Sequence, residues 1–387
     1  MRSDWKQVTL EECTSLLGDG LHGTPKYTES GEYAFVNGNN LVNGKIVIKP
    51  ETKRIDRTQY EKYRKELNNR TIMVSINGTL GNVAMYNGEK IILGKSACYF
   101  NVLESVDKDF IRYVVSSPVF QTYLETNATG TTIKNISLKQ MREYSFFIPD
   151  YETQKRISGL LRAIDDKIEL NNAINKNLEK QAQAIFKSWF VDFEPFGGVM
   201  PDDWRIGTTS EIIELHDSKR VPLSGAERDK MDKIYPYYGA TSIMDYVDNY
   251  IFDGVYLLLS EDGTVIDANG FPILQYVYGK FWVNNHAHII TGKLGHTVES
   301  LYLLFSLTNI KHIVTGAVQQ KVSQVNLKKV PVIIPDNQSL NQFNDIIQPI
   351  FGTIRNYRDE NQRLASLRDT LLPKLMNGEI DISAVKV

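Results

Sequence analysis

The sequence of 387 residues predicts an α/β (α+β) chain with two similar mixed α/β domains separated by two long helices. Three observations carry this prediction: a long internal repeat, two segments with a heptad pattern, and two regions of short strand-like runs between turns. In the order domain, helix, domain, helix, antiparallel pairing of the helices as a coiled coil would place the domains at opposite ends. The expected chain therefore has pseudo-two-fold symmetry.

The internal repeat relates residues 129–150 to residues 315–336. The first copy reads TGTTIKNISLKQMREYSFFIPD and the second TGAVQQKVSQVNLKKVPVIIPD, aligned without a gap at an offset of 186 residues. Each copy begins with Thr-Gly, ends with Ile-Pro-Asp and continues into a segment of helical periodicity. A period near half the chain length indicates two related units, because the repeats of solenoids are much shorter.

Composition is that of a globular protein, with 42% hydrophobic and 23% charged residues. We expect a cytoplasmic protein without membrane association, because no apolar run approaches the roughly 18 residues of a membrane helix and no secretory leader is recognisable. Cys13 and Cys98 are expected to be packed thiols, since two cysteines form neither a disulfide framework nor a CxxC metal site. The formal net charge of −2 predicts weak attraction to phosphate, so a DNA ligand would need a partner's help.

Residues 1–150 predict the first mixed α/β domain, with a curled sheet. Runs of β-prone residues alternate with Asn-Gly turns, and the segment from Asp109 to Glu125 is expected to be helical. The strand-like runs are residues 45–48, 71–76, 82–86 and 144–148.

Residues 151–195 predict the first long spacer helix, with Asp150 placed to cap its start. About 39 helical residues at ~1.5 Å each give a rod of roughly 58 Å. Two polar members of its seam, Asn171 and Asn175, would fix register at a cost in stability. The heptad seam consists of Ile157, Leu161, Ile164, Ile168, Asn171, Asn175, Leu178, Ala182, Ile185 and Trp189.

Residues 196–336 predict the second mixed domain, which echoes the first at several points. Trp204-Arg-Ile-Gly resembles Trp5-Lys-Gln-Val, and Ser260-Glu-Asp-Gly-Thr resembles Ser75-Ile-Asn-Gly-Thr. The stretch Asn285-His-Ala-His-Ile takes the place of Lys95-Ser-Ala-Cys-Tyr in the first domain.

Residues 337–387 predict the second spacer helix and a C-terminal tail. Ser339 with Gln342 forms a capping-box pattern at its start. The alternative is two independent amphipathic helices, each covering its own domain, but a seam sustained over several heptads favours mutual pairing. The second seam consists of Phe343, Ile347, Ile350, Ile354, Tyr357, Asn361, Leu364, Arg368, Leu371 and Leu375.

No catalytic constellation is recognisable. The sequence lacks a phosphate-binding GxxxxGK[ST] loop, a GxSxG nucleophile elbow and the Asn/Asp-Pro-Pro-aromatic tetrapeptide of amino-methyltransferases. His286 and His288 come nearest to a metal site, but no third ligand stands at a suitable spacing. We therefore expect no metal, with one histidine buried and the other on a polar surface.

The repeated Thr-Gly loops are better candidates for binding than for catalysis. Thr129–Asn135 and Thr315–Lys321 offer hydroxyl, amide and ammonium groups that can contact phosphates or read base edges. The alternative is that both are solvated turns that precede a strand.

Several segments resemble the specificity subunit of type I restriction–modification systems. They are Ile148–Ile157, Ile164–Ile168, Phe186–Phe193 and Leu371–Glu379, together with Pro236–Ala240, which is similar to the Tyr-Gly-Ala stretch of the family's recognition domains. The resemblance covers the whole chain in the family's domain order.

This resemblance implies that each domain is a target recognition domain for one half of a bipartite double-stranded DNA site. The coiled coil would set the spacer between the halves and dock two modification subunits, which bind S-adenosylmethionine and methylate adenine. Two restriction subunits, with ATP/Mg-dependent translocase and nuclease activity, would complete the complex. The chain itself would be non-catalytic, without a cofactor. The alternatives are an interaction scaffold that binds no DNA and a self-contained DNA methyltransferase.

Under this interpretation, loop residues with polar side chains are expected to contact DNA. In the first domain the candidates are His22, Thr24, Lys26, Asn77, Lys95, Thr131, Thr132 and Lys134. In the second domain they are Lys219, Arg220, Tyr238, Asp262, His286, His288, Gln319 and Gln320.

Overall fold

The computed structural model describes residues 5–130, 132–316 and 318–382, which form two compact units. Unit 1 contains the residues up to Leu170 and those from Glu360 onwards, and unit 2 is Asn171–Asp359. Each unit combines a mixed α/β domain with one half of each long helix. Within the described part of the chain, no helix has the length and apolar character that crossing a membrane requires.

The elements follow one another in the same general order in both halves of the chain. The first half contains β1 (Lys6–Thr9), β2 (Thr14–Asp19), β3 (Tyr33–Val36), β4 (Leu41–Val42), β5 (Lys45–Ile46), β6 (Arg54–Ile55), α1 (Arg57–Tyr63), β7 (Thr71–Ser75), β8 (Val83–Met85), β9 (Ile91–Leu93), β10 (Ala97–Val102), α2 (Lys108–Ser116), α3 (Pro118–Asn127), α4 (Leu138–Glu143), β11 (Ser145–Ile148) and α5 (Tyr151–Phe190). The second half contains β12 (Arg205–Thr208), α6 (Thr209–Ile212), β13 (Ile213–Leu215), α7 (Gly225–Arg228), β14 (Tyr235–Tyr238), β15 (Ile243–Val247), β16 (Phe252–Ser260), β17 (Leu274–Val283), β18 (Ala287–Gly292), α8 (Val298–Ser306), α9 (Gln324–Leu327), β19 (Pro331–Ile334) and α10 (Asn337–Met376).

The main sheet of unit 1 is antiparallel, in the order β2-β10-β7-β8. Its central strands β7 and β10 are buried along their whole length, which explains their nearly continuous run of apolar residues. A smaller sheet, β6-β3-β9, and the pair β1-β11 complete the domain.

The main sheet of unit 2 has six strands in the order β13-β18-β16-β17-β14-β15. All neighbours are antiparallel except β14 and β17. The strand order β13-β18-β16 reproduces β2-β10-β7 of unit 1, and the pair β12-β19 reproduces β1-β11. The sequence echo between Trp5 and Trp204 therefore marks equivalent strands, since each tryptophan directly precedes the first strand of its pair.

The segment from Asp109 to Glu125 is helical as expected, and it is divided at Ser117 into α2 and α3. Ser117 is extended, with ψ at 151°. A residue before proline avoids the helical conformation, so α2 ends ahead of Pro118. The Ser117 hydroxyl then caps α3 by accepting a hydrogen bond from the Phe120 amide at 3.3 Å.

The two long helices pack against each other, as the heptad seams predict. Within unit 1, Arg368 of α10 pairs with Asp165 of α5 at 2.9 Å. Within unit 2, Arg358 pairs with Glu179 at 2.9 Å. In unit 1 the contacts run from Asp165 with Arg368 to Lys167 with Glu360. In unit 2 they run from Asn175 with Ile354 to Phe190 with Phe343. Residue numbers therefore rise along α5 as they fall along α10, and the pairing in each unit is antiparallel. Asn175 is buried in this seam, and its side-chain amide donates to the carbonyl oxygen of Ile354 at 3.4 Å.

The aspartates of the repeated Ile-Pro-Asp cap the long helices. Asp150 accepts a hydrogen bond from the Thr153 amide at 3.0 Å. Asp336 likewise accepts from the Ser339 amide at 3.0 Å and also from the indole nitrogen of Trp204 at 3.0 Å. Hydrogen bonds from Ser339 and Trp204 lower the pKa of Asp336 to about 2, because they favour the ionised carboxylate.

The capping box expected from Ser339 and Gln342 is therefore wrong. The helix begins at Asn337, so Ser339 already lies in its first turn. The capping oxygen comes from Asp336, three residues before the serine. The repeat thus ends in a working N-cap in both copies.

A carboxylate anchors each domain to the helix pair. In unit 1, Asp165 accepts from Arg112 and from the Tyr113 hydroxyl, each at 2.7 Å, in addition to its bond with Arg368. In unit 2, Glu299 of α8 accepts from Arg355 of α10 at 2.8 Å. Burial alone would raise the pKa of Asp165, but hydrogen bonds from Arg368 and Tyr113 outweigh it and lower the pKa. Both domains are thus fixed to their own part of the helices by a charged, partly buried contact.

Candidate nucleic-acid interface

The two Thr-Gly loops close by the same hydrogen bonds. In unit 1, the amide of Thr129 donates to the carbonyl of Asn135 at 2.9 Å, and the amide of Asn135 returns the bond at 2.9 Å. In unit 2, Thr315 and Lys321 make the same reciprocal pair at 2.9 and 2.8 Å. The threonine hydroxyl bonds to the same carbonyl at 3.2 Å in both loops. The repeated threonine therefore has a structural role.

The repeated glycine is required by the backbone. Gly130 and Gly316 both have φ of +91°, in the region that L-residues with side chains avoid. A Cβ atom at either position would also collide with a carbonyl oxygen of its own loop, that of Ile133 or of Gln319. The Thr-Gly pair thus determines the shape of the loop. The loop residues that remain free to contact a ligand lie between Gly130 and Asn135 in unit 1 and between Gly316 and Lys321 in unit 2.

Each loop is attached to the end of a central strand. In unit 1, the Gly78 amide after β7 donates to the carbonyl of Lys134 at 2.9 Å. In unit 2, the Gly263 amide after β16 donates to the carbonyl of Gln320 at 3.0 Å. The loops therefore lie at equivalent edges of the two main sheets, next to the turns that carry Asn77 and Asp262.

Most of the candidates in unit 1 lie together on this edge. His22 is 70% exposed and bonds to Asp19 at the end of β2. The amide of Lys95 donates to the carbonyl of Leu21 at 3.1 Å, which places the β9–β10 turn beside His22. The side-chain amide of Asn77 donates to Asn135 of the Thr-Gly loop at 3.1 Å.

The remaining candidates of unit 1 differ in their surroundings. Thr132 and Lys134 are exposed on the Thr-Gly loop, and Thr24 is exposed in the loop after β2. Lys26 is exposed, but its backbone amide is held by Gln59 of α1 at 3.2 Å. Thr131 lies outside the described residues.

In unit 2 the equivalent edge contains a charged cluster with a buried centre, which we define as Asp217, Arg220, Glu261, His288 and the exposed Lys321. Arg220 bonds to Glu261 at 2.7 Å and lies 3.6 Å from Asp217. Lys321 of the Thr-Gly loop lies 3.3 Å from Glu261. These groups come from four segments, so the cluster joins the loop after β13, the end of β16, strand β18 and the Thr-Gly loop.

His288 is the centre of this charged cluster rather than a surface residue. Its side chain is 0% exposed. Its Nδ1 lies 2.6 Å from Asp217 Oδ2, and its Nε2 lies 2.8 Å from the carbonyl oxygen of Val322. Because both neighbours are acceptors, the geometry suits an imidazolium that donates from both nitrogens. This conformation leaves His288 no route to direct contact with a base.

The two carboxylates of the charged cluster are held ionised. Burial by itself would raise the pKa of Asp217, but the hydrogen bond and charge of His288 outweigh it and lower the pKa. Burial would likewise raise the pKa of Glu261, and the hydrogen bond from Arg220 and the charge of His288 lower it. Compensation by several cations explains how a buried ionic cluster is tolerated here.

The other candidates of unit 2 surround the charged cluster. His286 is 45% exposed and bonds through Nδ1 to Asp262 at 2.7 Å. Lys219, Gln319 and Gln320 are exposed. Tyr238 lies apart on β14, where its ring packs edge-on against Phe281 with 5.7 Å between ring centroids.

The ligand atoms of Asp217, Glu261 and His288 all lie within 4.8 Å of one another, as they would around a metal ion. However, Arg220 and Lys321 already supply positive charge to these carboxylates. The side-chain amide of Gln324 also donates to Asp217 at 2.6 Å. The donor set is therefore internally satisfied, and the arrangement is that of a structural ionic cluster.

Sequence reasoning missed the two carboxylates of the charged cluster, Asp217 and Glu261. One signal was available for Glu261. The echo between Ser75-Ile-Asn-Gly-Thr and Ser260-Glu-Asp-Gly-Thr places a glutamate where the other copy has a buried isoleucine, Ile76. A charge at a position that is apolar in the sister domain indicates a buried partner of opposite charge.

Both edges thus present exposed amides, hydroxyls and cations on loops held by a rigid sheet. Such groups bind phosphates and read base edges. Fold and surface together define a duplicated recognition protein.

The sequence profile described as "Type I restriction modification DNA specificity domain" matches residues 2–180 and 201–365. The chain belongs to this family and is the DNA specificity subunit of a type I restriction–modification system, a non-catalytic subunit of the enzyme complex. The resemblance seen in the sequence is confirmed.

Similar proteins span nearly the whole chain. The type I restriction enzyme MjaIX specificity subunit of Methanocaldococcus jannaschii is 24% identical over 98% of this chain and 94% of that protein. The HindI specificity subunit of Haemophilus influenzae is 24% identical over 64% of this chain and 72% of that protein. The crystal structure of a type I restriction–modification S subunit from M. genitalium has a TM-score of 0.59 and 20% identity, with 96% of each chain covered. This last likeness supports the fold, with two mixed α/β domains and two long helices packed together.

Proposed function

We propose that each domain reads one half of a bipartite DNA target and that the paired helices set the spacer between the halves. Residues 1–150 would be the first target recognition domain and residues 196–336 the second. Residues 151–195 and 337–387 would supply the spacer helices. The single observation that carries the proposal is that one backbone framework, with equivalent loops at the edge of the main sheet, is built twice with different side chains.

Direct contact with DNA is assigned to the exposed members of the two edges. In unit 1 these include His22, Lys95 and Lys134, and in unit 2 Lys219, Gln319 and Gln320. Lysine and glutamine can donate to phosphates and to base edges in the major groove. Arg220 and His288 are proposed to act indirectly. They belong to the charged cluster, which holds the loops that present the exposed side chains.

The proposed partners follow from the family and from the charge of the chain. With a formal net charge of −2, the chain alone offers little attraction to DNA. We propose that two modification subunits dock on the helix pair, contribute S-adenosylmethionine and adenine methylation, and close around the duplex. Two restriction subunits with ATP/Mg-dependent activity would complete the assembly.

A domain swap tests modular reading. Residues 196–336 are replaced with the second recognition domain of another specificity subunit, and methylated sites are mapped by sequencing. We expect only one half of the methylated site to change. A change in the half read by residues 1–150, or in both halves, would contradict the assignment of one half-site to each domain.

An insertion tests the spacer role. One heptad added to each long helix lengthens the pair by about 10 Å, or roughly three base pairs of duplex. We expect both half-sites to be retained and the spacer between them to lengthen. An unchanged spacer would refute the role of the helices.

Co-purification separates this function from its competitors. A specificity subunit should capture a modification subunit and bind DNA with sequence preference only in that complex. Binding of S-adenosylmethionine by the isolated chain would instead indicate a self-contained methyltransferase.

A further inference from the structure

A polar cleft lies beside the edge strand β13 of unit 2. It has a volume of about 400 Å³. Two lysines, Lys293 and Lys328, and two serines, Ser210 and Ser218, contribute to its lining. The cleft therefore combines ammonium and hydroxyl groups, which are suitable ligands for an oxyanion.

The two lysines are held in place by the backbone. The amide of Lys293 donates to the carbonyl of Ile212 at 2.8 Å. The carbonyl of Lys328 accepts from the amide of Ser210 at 3.1 Å. Both lysines are exposed, and among the described residues neither forms an ion pair. Their charges are thus available to a ligand.

Unit 1 has a different arrangement at the corresponding place. Arg142, which the repeat offset aligns with Lys328, donates to the carbonyl of Leu17 at 3.0 Å and lies 3.7 Å from Glu11. Glu11 follows the first β-strand in the same way that Ser210 follows the β12 strand. In unit 1 the charge of Arg142 is therefore neutralised by Glu11. In unit 2 the position equivalent to Glu11 is Ser210, whose hydroxyl cannot neutralise Lys328.

The carboxylates near the cleft do not cancel its positive charge. Asp217 lies in the wall, but His288 and Arg220 compensate it. Glu214 is the remaining acid in the lining, against two lysines. The free charge of the cleft is therefore positive, and an anion is the expected occupant.

The position of the cleft identifies the anion. Its lining continues through Ser218 into Lys219, an expected DNA contact, and through Gln324 towards the Thr-Gly loop that presents Gln319 and Gln320. A duplex lying on these loops would bring its backbone to the flank of the domain. Phosphate contacts of this kind fix orientation without reading sequence.

We propose that the cleft binds a backbone phosphate of the DNA that flanks the half-site read by unit 2, through Lys293 and Lys328. This inference rests on the proposed function. It adds a sequence-independent clamp to unit 2 that unit 1 does not have at the corresponding place.

The test uses the complex of the full chain with its modification subunit and measures duplex affinity over a range of salt concentrations. The double variant Lys293→Ala/Lys328→Ala removes two cations from the cleft. The control, Lys230→Ala/Lys329→Ala, removes two exposed lysines of the same unit that do not line it. Thermal unfolding of both variants checks that the fold is kept.

Each phosphate contact contributes about 0.9 to the slope of log K against log salt concentration. Because the cleft holds one phosphate, we expect the slope measured for the cleft variant to be smaller by about 1, equally on target and non-target duplexes, with methylated sites unchanged. Glu214→Gln should strengthen binding. A slope that matches the control variant would overturn the proposal.

Two further outcomes separate the alternatives. Inorganic phosphate titrated into the free chain probes a site for small anions. Lysine-dependent phosphate binding with an unchanged DNA slope would refute the DNA assignment. The domain swap could change the half-site assigned to residues 1–150 while the cleft variant shows a smaller salt dependence of DNA binding. That result would contradict bipartite reading but would still support phosphate binding in the cleft.

Discussion

The recognition edges of the two units share a backbone and differ in the chemistry beneath it. In unit 1, Ile76 directly follows β7 and Cys98 lies at the start of β10, and both are buried. In unit 2, Glu261 directly follows the equivalent strand β16, and His288 lies on β18. Burial raises the pKa of the Cys98 thiol, so unit 1 is uncharged where unit 2 has an ionic cluster. The comparison teaches that the sheet, the Thr-Gly loop and the caps form a framework that accepts either an apolar or an ionic interior.

The two interiors should differ in their sensitivity to mutation. An apolar contact loses energy in proportion to the volume removed, whereas a buried ionic cluster loses much more when one partner leaves an unpaired charge. Four experiments test this difference, and they are given in order of decreasing effect on stability.

The largest effect is expected from Glu261→Ala. The change removes the 2.7 Å partner of the largely buried Arg220, which keeps only its longer contact with Asp217, so the free energy of unfolding of unit 2 should fall by about 3–5 kcal/mol. The matched change in unit 1, Ile76→Val, should cost about 0.5–1.5 kcal/mol. Urea unfolding gives the free energies, and hydrogen exchange by mass spectrometry assigns each loss to its unit. Equal losses in the two units would remove the contrast.

The shared framework should respond equally in both units. Gly130→Ala and Gly316→Ala force a side chain into a left-handed conformation and against a carbonyl, so each should cost about 1–3 kcal/mol. Gly263→Ala is the control, because its φ is also positive at +81° but its Cβ would meet open space. Denaturation midpoints should fall similarly for the first two variants and less for the third. A loss confined to one loop would show that the loops are not equivalent.

Loss of either helix cap should have a smaller effect of about 1 kcal/mol. Asp150→Ala removes the bond to Thr153, and Asp336→Ala removes the bonds to Ser339 and Trp204. We therefore expect the second change to cost somewhat more. Asparagine at either position keeps an acceptor for the cap and should restore most of the stability, as measured by thermal unfolding.

The smallest difference in stability between the two units is expected in mild acid. The pKa values of Asp217 and Glu261 are lowered in the folded state, so their stabilisation is complete above their unfolded values, near 3.8 and 4.5. It is lost as the pH falls through the lower folded values. Below about pH 4, hydrogen exchange should accelerate in residues 315–324 of unit 2 before residues 129–135 of unit 1. Simultaneous acceleration would indicate a cause other than the charged cluster.

Local patterns in the sequence predicted much of the fold. The heptad seams identified both long helices, and the Ile-Pro-Asp repeat marked where each begins. The Asn43-Gly44 turn joins β4 and β5 as a tight hairpin, with positive φ at both residues. Prediction was wrong at the start of α10, where the capping role of Asp336 was overlooked. The roles of individual residues in DNA contact stay predictions, because base readout depends on loop geometry and DNA shape.

By itself, the sequence determined that this chain is two related domains with two pairing helices, and that it belongs to the specificity subunits. The first conclusion rests on periodicity, caps and an internal repeat, which can be read from the order of residues along the chain. The second rests on the resemblance of several short segments to the family. Only the tertiary structure decided that His288 is buried, that Asp217 and Glu261 surround it, and that Lys293 and Lys328 share a cleft. The physical reason is that these groups lie tens of residues apart and meet only through the register of β13, β18 and β16.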